Sequence, residues 1–197
     1  MEGNVKIIKI GIAFEGTRDI KPLEILIERI LSPRYKPLFT KPITPNTGLI
    51  GYVKPYLKRF FERGDPVEIA VFVTDQDKQN KSVKRTLQKK IGEINPTYKN
   101  FSVIAVPEPH FEAWLLADQG CVKSYFSLPG EKPLPNIDYS AKFTLEYLQR
   151  NMPDPRIALA QVYQDLASSI NLQTTCNSQS SFKSFMSQLR STCKQLV

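Results

Sequence analysis

Three runs of β-branched and aromatic residues limit the fold of this chain more than any other feature. They are Val5–Phe14 (VKIIKIGIAF), Val67–Thr74 (VEIAVFVT) and Phe101–Val106 (FSVIAV). Each becomes almost continuously apolar towards its end, the pattern of a strand covered on both faces. Between the runs, apolar residues step by three and four: Ile20, Leu23, Ile27 and Ile30, then Leu49, Val53, Tyr56, Leu57 and Phe60, then Val83, Leu87 and Ile91. Strands that alternate with helices imply βαβ units, hence an α/β fold with a mainly parallel central sheet flanked by helices. Prolines 33, 37, 42 and 45 crowd the segment 32–48. A short edge strand around Pro37–Ile43 is expected there, because a missing N–H is harmless at a sheet edge.

The last third reads differently. Ser127–Asp138 (SLPGEKPLPNID) is a turn-rich connection, after which Ala141–Arg150, Arg156–Ile170 and Ser181–Gln195 carry helical spacing. Phe182, Phe185, Met186 and Leu189 form an apolar stripe on the last of these, which is expected to pack into a core. A chain of 197 residues fits one domain. The expected division is an α/β domain over 1–126 with a helical C-terminal extension over 139–197 packed on it.

Composition excludes several kinds of chemistry. The single histidine, His110, rules out a His-rich zinc site, and a Ser-His-Asp triad could be built around it alone. Cys121, Cys176 and Cys193 match no zinc or disulfide spacing and are expected to be free thiols. Neither a Walker A pattern nor a G-x-G-x-x-G loop is present, which weakens any reading as a nucleotide hydrolase. Lys6 and Lys9 interrupt the first apolar run, which does not resemble a secretory leader. No stretch approaches the roughly 18 apolar residues that span a bilayer, so a cytoplasmic protein without a membrane association is expected. With 27 Lys and Arg against 19 Asp and Glu, the formal charge of +8 is compatible with a polyanionic partner such as nucleic acid.

Any catalysis must then lean on carboxylates, lysines or a hard metal ion. In open parallel sheets ligands bind where strands end at their carboxyl edge. The first run passes into Glu15-Gly16-Thr17-Arg18-Asp19, and the second, 60 positions on from Glu15, into Asp75-Gln76-Asp77. Such carboxylates repel: two unit charges 4 Å apart cost on the order of 4 kcal/mol at an effective dielectric of about 20. A cation would neutralise them, and an oxygen-only ligand set favours Mg²⁺ or Mn²⁺ over Zn²⁺. Glu15, Asp75 and Asp77 are therefore the candidate metal ligands, and a cation held there could polarise a phosphodiester. Asp19 is equally well placed as the N-cap of the helix that Pro22 helps to start, with or without a second role. Glu112, at the exit of the third strand, either completes the site or simply favours a helix start. After Asp77 the chain is basic, with Lys78, Lys81, Lys84, Arg85, Lys89 and Lys90 and no intervening acid. It is either a solvated helix face or a rim that guides a phosphate backbone.

The segments Glu15–Asp19 and Val71–Asp77 resemble the toprim signature shared by topoisomerases, bacterial primases and overcoming-lysogenization-defect nucleases. The run Val106–Asp118 (VPEPHFEAWLLAD) and the tail Cys176–Phe185 (CNSQSSFKSF) are similar to a toprim-like family of unknown function, often encoded beside ATPases in prokaryotic defence regions. The likeness spans nearly the whole chain. It implies a toprim-like fold and a Mg²⁺-dependent nuclease in anti-phage defence, with nucleic acid and a partner ATPase as partners. Glu15 would be the general acid/base or a metal ligand, Asp75 and Asp77 would hold the cation, and Glu112 would assist proton transfer. Asp19, His110 and Asp118 are further candidates for the site, and Lys78, Lys81, Lys84 and Arg85 for nucleic-acid binding. No winged-helix or tyrosine-bearing cleavage module is apparent, so topoisomerase and primase chemistry are not expected. The rival implication is a toprim-like scaffold that binds a partner ATPase or nucleic acid without cutting.

Overall fold

In a computed structural model, which describes residues 5–16, 18–44, 48–64, 66–75, 82–129, 134 and 141–196, four strands form one parallel sheet. They are β1 (Lys6–Phe14), β2 (Tyr35–Phe39), β3 (Ile69–Val73) and β4 (Ser102–Ala105), in the order β2-β1-β3-β4. The crossovers carry α1 (Ile20–Leu31), α2 (Leu49–Phe61), and the pair α3 (Val83–Ile94) and α4 (Pro96–Asn100). After β4 follow α5 (Phe111–Leu116), α6 (Gln119–Tyr125), α7 (Ala141–Arg150), α8 (Leu159–Ser169), α9 (Leu172–Ser178) and α10 (Ser180–Lys194). The α/β fold expected from the alternation is the one observed.

The pleat sorts the apolar residues onto two faces. Ile8, Ile10, Ile12 and Phe14 of β1, Ile69, Val71 and Val73 of β3, and Val103 and Ala105 of β4 pack in one core with α1, α5, α7, α8 and α10. Ala13, Ala70, Phe72 and Ile104 pack on the opposite face with α2 and α3. Because both faces are covered, the central strands need no alternation, which is why their sequences read as continuous apolar runs. Phe60 lies so close to β1 that a Cβ on Gly11 would come within 2.5 Å of its ring.

β2 is at the sheet edge, as its prolines suggested, but starts and ends earlier than expected. Thr40 donates to Ile10 O at 3.0 Å, and the next amide that could continue the ladder belongs to Pro42, which has no N–H. Ile43 donates to Ile12 O instead, at 2.9 Å, so pairing survives there only as an isolated bridge to Ala13.

The C-terminal helices share the core of the sheet. Trp114 is fully buried, stacked on Phe185 at 5.3 Å and meeting Phe182 edge-on at 5.1 Å, while its indole N–H donates to Ser181. Arg29 of α1 donates to the carbonyls of Ala167 and Ile170 at 2.6 Å each, satisfying acceptors that the end of α8 leaves open. α8 begins at Leu159 rather than Arg156, because Asp154 accepts bonds from both the amide and the guanidinium of Arg156 and holds a turn. α6 had no counterpart in the sequence reading.

Candidate active site

Strand register decides what can meet. Phe14 pairs with Val73, and Val73 with Ala105, so β1, β3 and β4 end side by side. The residues that follow them therefore emerge along one carboxyl edge, where α/β sheets place their ligands.

At that edge lies a cavity of about 420 Å³ lined by Arg18, Asp19, Asp75, His110, Glu112 and Lys142. Three carboxylates thus face one hollow, with an imidazole and two cations around them. Asp75 sits two residues past β3, with Oδ2 3.5 Å from His110 Nδ1. Its side chain is 37% accessible, yet Oδ1 is buried and has no hydrogen-bond partner. Burial, reinforced by the nearby Glu112 charge and opposed by His110 and by the backbone amide of Phe111, pushes the Asp75 carboxyl up to about 6. Asp19 is pushed up further, to about 7, by burial and then by Glu112 and Asp75, with Arg18 and Lys142 pulling the other way. Gly16 makes room for it, since a Cβ there would lie 2.7 Å from Asp19 Oδ2.

Glu112 stands in the first turn of α5 and is only 7% exposed. A buried carboxylate needs donors, and Tyr163 of α8 supplies one, its hydroxyl donating to Oε1 at 2.8 Å. Burial and the Glu112 charge raise the Tyr163 phenol well above its usual range, so it stays a donor. The C-terminal helices therefore take part in building the site.

The remaining candidates are distributed differently from the sequence reading. Glu15 is exposed and does not line the cavity: Oε1 accepts the Leu49 amide at 2.7 Å and Oε2 the Thr74 hydroxyl at 2.9 Å. It caps α2, whose N-cap residue, Gly48, has no side chain to do so, and it ties the exit of β1 to that of β3. Asp19 occupies the N-cap position of α1 but has helical backbone angles and makes no side-chain cap bond. The capping role expected of it is absent, because its carboxylate turns into the cavity instead. Asp118 is structural: Oδ1 caps α6 through the Cys121 amide at 3.1 Å, and Oδ2 accepts from Asn171 at 2.8 Å. Asp77, Lys78 and Lys81 lie outside the described residues. Arg85 is exposed on α3, while Lys84 donates to Ser184 of α10 at 2.8 Å. The three cysteines are free thiols.

Sequence reasoning missed Arg18, Lys142 and Tyr163. Arg18 is adjacent to Asp19 and could have been included on that ground. Tyr163 carries no local signal, since its only distinction is contact with a residue 51 positions away.

Among the described residues no three His, Cys, Asp or Glu side chains are placed to share one metal ion. Of the three carboxylates at the cavity, two at a time could serve one ion. That matches the demand of Mg²⁺, which keeps several waters and is bound through one or two carboxylates plus substrate phosphates. The orphaned Asp75 Oδ1 is the atom a cation would satisfy. No helix among the described residues is long and apolar enough to cross a membrane. Comparisons with family models, with curated proteins and with solved structures find no match for this chain.

Proposed function

We propose that the chain is a Mg²⁺- or Mn²⁺-dependent nuclease that hydrolyses phosphodiesters of DNA or RNA on a toprim-like domain. The observation that carries the reading is Asp75: a carboxylate oxygen buried without a partner, in a cavity it shares with Asp19 and Glu112. Repelling carboxylates that keep such proximity are poised for a cation. Asp75 would hold it together with Asp19 or Glu112, and Asp77 two residues on is the natural further ligand. When bound, such a cation withdraws charge from a phosphodiester and favours attack at phosphorus.

The chain's own groups supply the rest. Arg18 and Lys142 offer positive charge at the cavity for phosphate oxygens. With Glu112 as the second ligand, Asp19 would be left free to take and give up a proton, as a general acid/base requires. His110 orients Asp75, and Tyr163 fixes Glu112. Glu15 serves from outside the cavity, by holding Thr74 and the start of α2. A role in anti-phage defence beside an ATPase is supported by the sequence resemblance alone.

The test is cleavage of supercoiled plasmid and of single-stranded DNA and RNA by the purified protein with Mg²⁺, Mn²⁺ or EDTA. The reading requires metal-dependent products that disappear in Asp75→Asn. Binding without cleavage at any metal concentration would instead mark a non-catalytic scaffold.

A further inference from the structure

β4 is the edge strand opposite β2, and a groove runs along it between α3 on one face and α10 on the other. It consists of two hollows, of about 540 and 250 Å³, which adjoin at Lys84, Ile104 and Ser184. From Ser102 to Glu108 the floor extends roughly 20 Å, at about 3.3 Å per residue. Its upper end, at Glu108, lies two residues before His110 of the carboxylate cavity.

An open edge ordinarily invites another β-strand. Here Gln188 of α10 prevents it. Its side-chain amide accepts from Ile104 N at 3.3 Å and donates to Ser102 O at 3.2 Å, occupying the main-chain groups that an added strand would use. Besides the apolar Ile91, Ile104 and Val106, the groove offers hydroxyls, amides and cations: Ser187 and Ser191 from α10, Gln88 and Lys84 from α3, and Lys99 from α4. Glu108, at the exit, is the one acid among the described lining residues, and no aromatic side chain lines either hollow. Ser102 adds a specific sign of a missing ligand. It is 3% exposed, it lines the groove, and its Oγ has no hydrogen-bond partner. Buried hydroxyls are normally satisfied.

We propose that this groove holds the sugar–phosphate backbone of a single polynucleotide strand and leads it to the carboxylate cavity. Hydroxyls, amides and ammonium groups are the donors that contact phosphate and sugar oxygens without reading sequence. The absence of aromatic platforms removes the base-stacking mode of strand binding and leaves backbone contact. Lys84 and Ser184 close the cleft between them with one 2.8 Å hydrogen bond. A strand entering would take the Lys84 ammonium from Ser184 onto a phosphate. The inference rests on the nuclease reading only for what happens at the end of the track; binding along it is independent of the chemistry.

The experiment is fluorescence anisotropy with labelled 20-mers of deoxythymidine and of uridine in EDTA, against Lys99→Glu, Ser187→Asp and Ser102→Ala. Lys99 and Ser187 are exposed, so both variants should fold. Each charge change is expected to weaken strand binding about tenfold, and the loss of a phosphate contact at Lys99 should reduce the salt slope by about one. Ser102→Ala should weaken binding a few-fold while melting no lower than wild type. Wild-type affinity in all three variants, as expected if the groove takes a peptide or nothing, overturns the proposal. Strand binding that needs the groove but is never followed by metal-dependent cleavage would refute the nuclease reading and leave the groove standing.

Discussion

Asp19→Asn isolates the electrostatic tension in the cavity. The folded protein holds the Asp19 carboxyl at about 7 against an ordinary value of 3.8. Between those values the folded state binds the proton more tightly than the unfolded chain does. Stability contributed by this group is therefore full below about pH 4 and is lost as pH rises through 7. At about 1.36 kcal/mol per pH unit, a difference of roughly three units amounts to about 4 kcal/mol. Relaxation of the cavity and water entering it lower that figure, so roughly 2–4 kcal/mol is expected. Asparagine has the shape of aspartate and no charge to lose. In EDTA, Asp19→Asn should match wild type near pH 4 and exceed it by about that amount at pH 8. Urea unfolding followed by circular dichroism from pH 4 to 8 measures the difference directly. A variant with the same pH slope as wild type, or one less stable at pH 8, would refute the claim that Asp19 is a buried, crowded carboxyl.

Three further substitutions probe how the site is held, all read by urea unfolding. Tyr163→Phe keeps the ring but removes the donor to Glu112, a bond to a carboxylate whose loss typically costs about 1.5–3 kcal/mol; an unaffected midpoint would mean that Glu112 does not depend on α8. Gly11→Ala places a Cβ 2.5 Å from Phe60, and overpacking of this kind costs about 1–3 kcal/mol; the second change Phe60→Leu should recover part of it. Arg29→Met strips the donors from Ala167 O and Ile170 O and should destabilise by about 1–3 kcal/mol, whereas a neutral outcome would show those carbonyls satisfied by solvent.

The sheet was legible because β1, β3 and β4 are buried on both faces, and a strand in that position leaves a continuous apolar run that needs no context to recognise. Helices α1, α2, α3 and α10 were legible for the related reason that one face of each meets the core. Four of the residues lining the cavity, Asp19, Asp75, His110 and Glu112, could be named from the sequence, but not which acids turn into it. Glu15 and Asp19 flank one turn, and nothing in the sequence says which carboxylate turns inward. That choice depends on the Leu49 amide and the Thr74 hydroxyl, which arrive from 34 and 59 positions away and take Glu15. Glu112 could be named because it opens the first helix after β4, whereas Tyr163 reaches the cavity only through the packing of α8. Lys84 read as part of a basic face, either solvated or guiding a phosphate backbone, and its bond to Ser184 spans 100 positions. Local patterning carries strands and amphipathic helices, while contacts between distant elements decide which polar side chains share a cavity.

The central claim is that Asp75 is a cation ligand, and thermal melts with and without Mn²⁺ test it most directly. Ligand-linked stabilisation grows as RT ln(1 + [L]/Kd), or about 2.7 kcal/mol at a hundredfold excess over Kd. Wild type should gain that much from saturating Mn²⁺. Asp75→Asn should melt at or slightly above wild type in EDTA, because the buried carboxylate is relieved, and should gain far less from the metal. Equal Mn²⁺ shifts in the two proteins, or an Asp75→Asn variant that is destabilised in EDTA and indifferent to metal, would contradict the account.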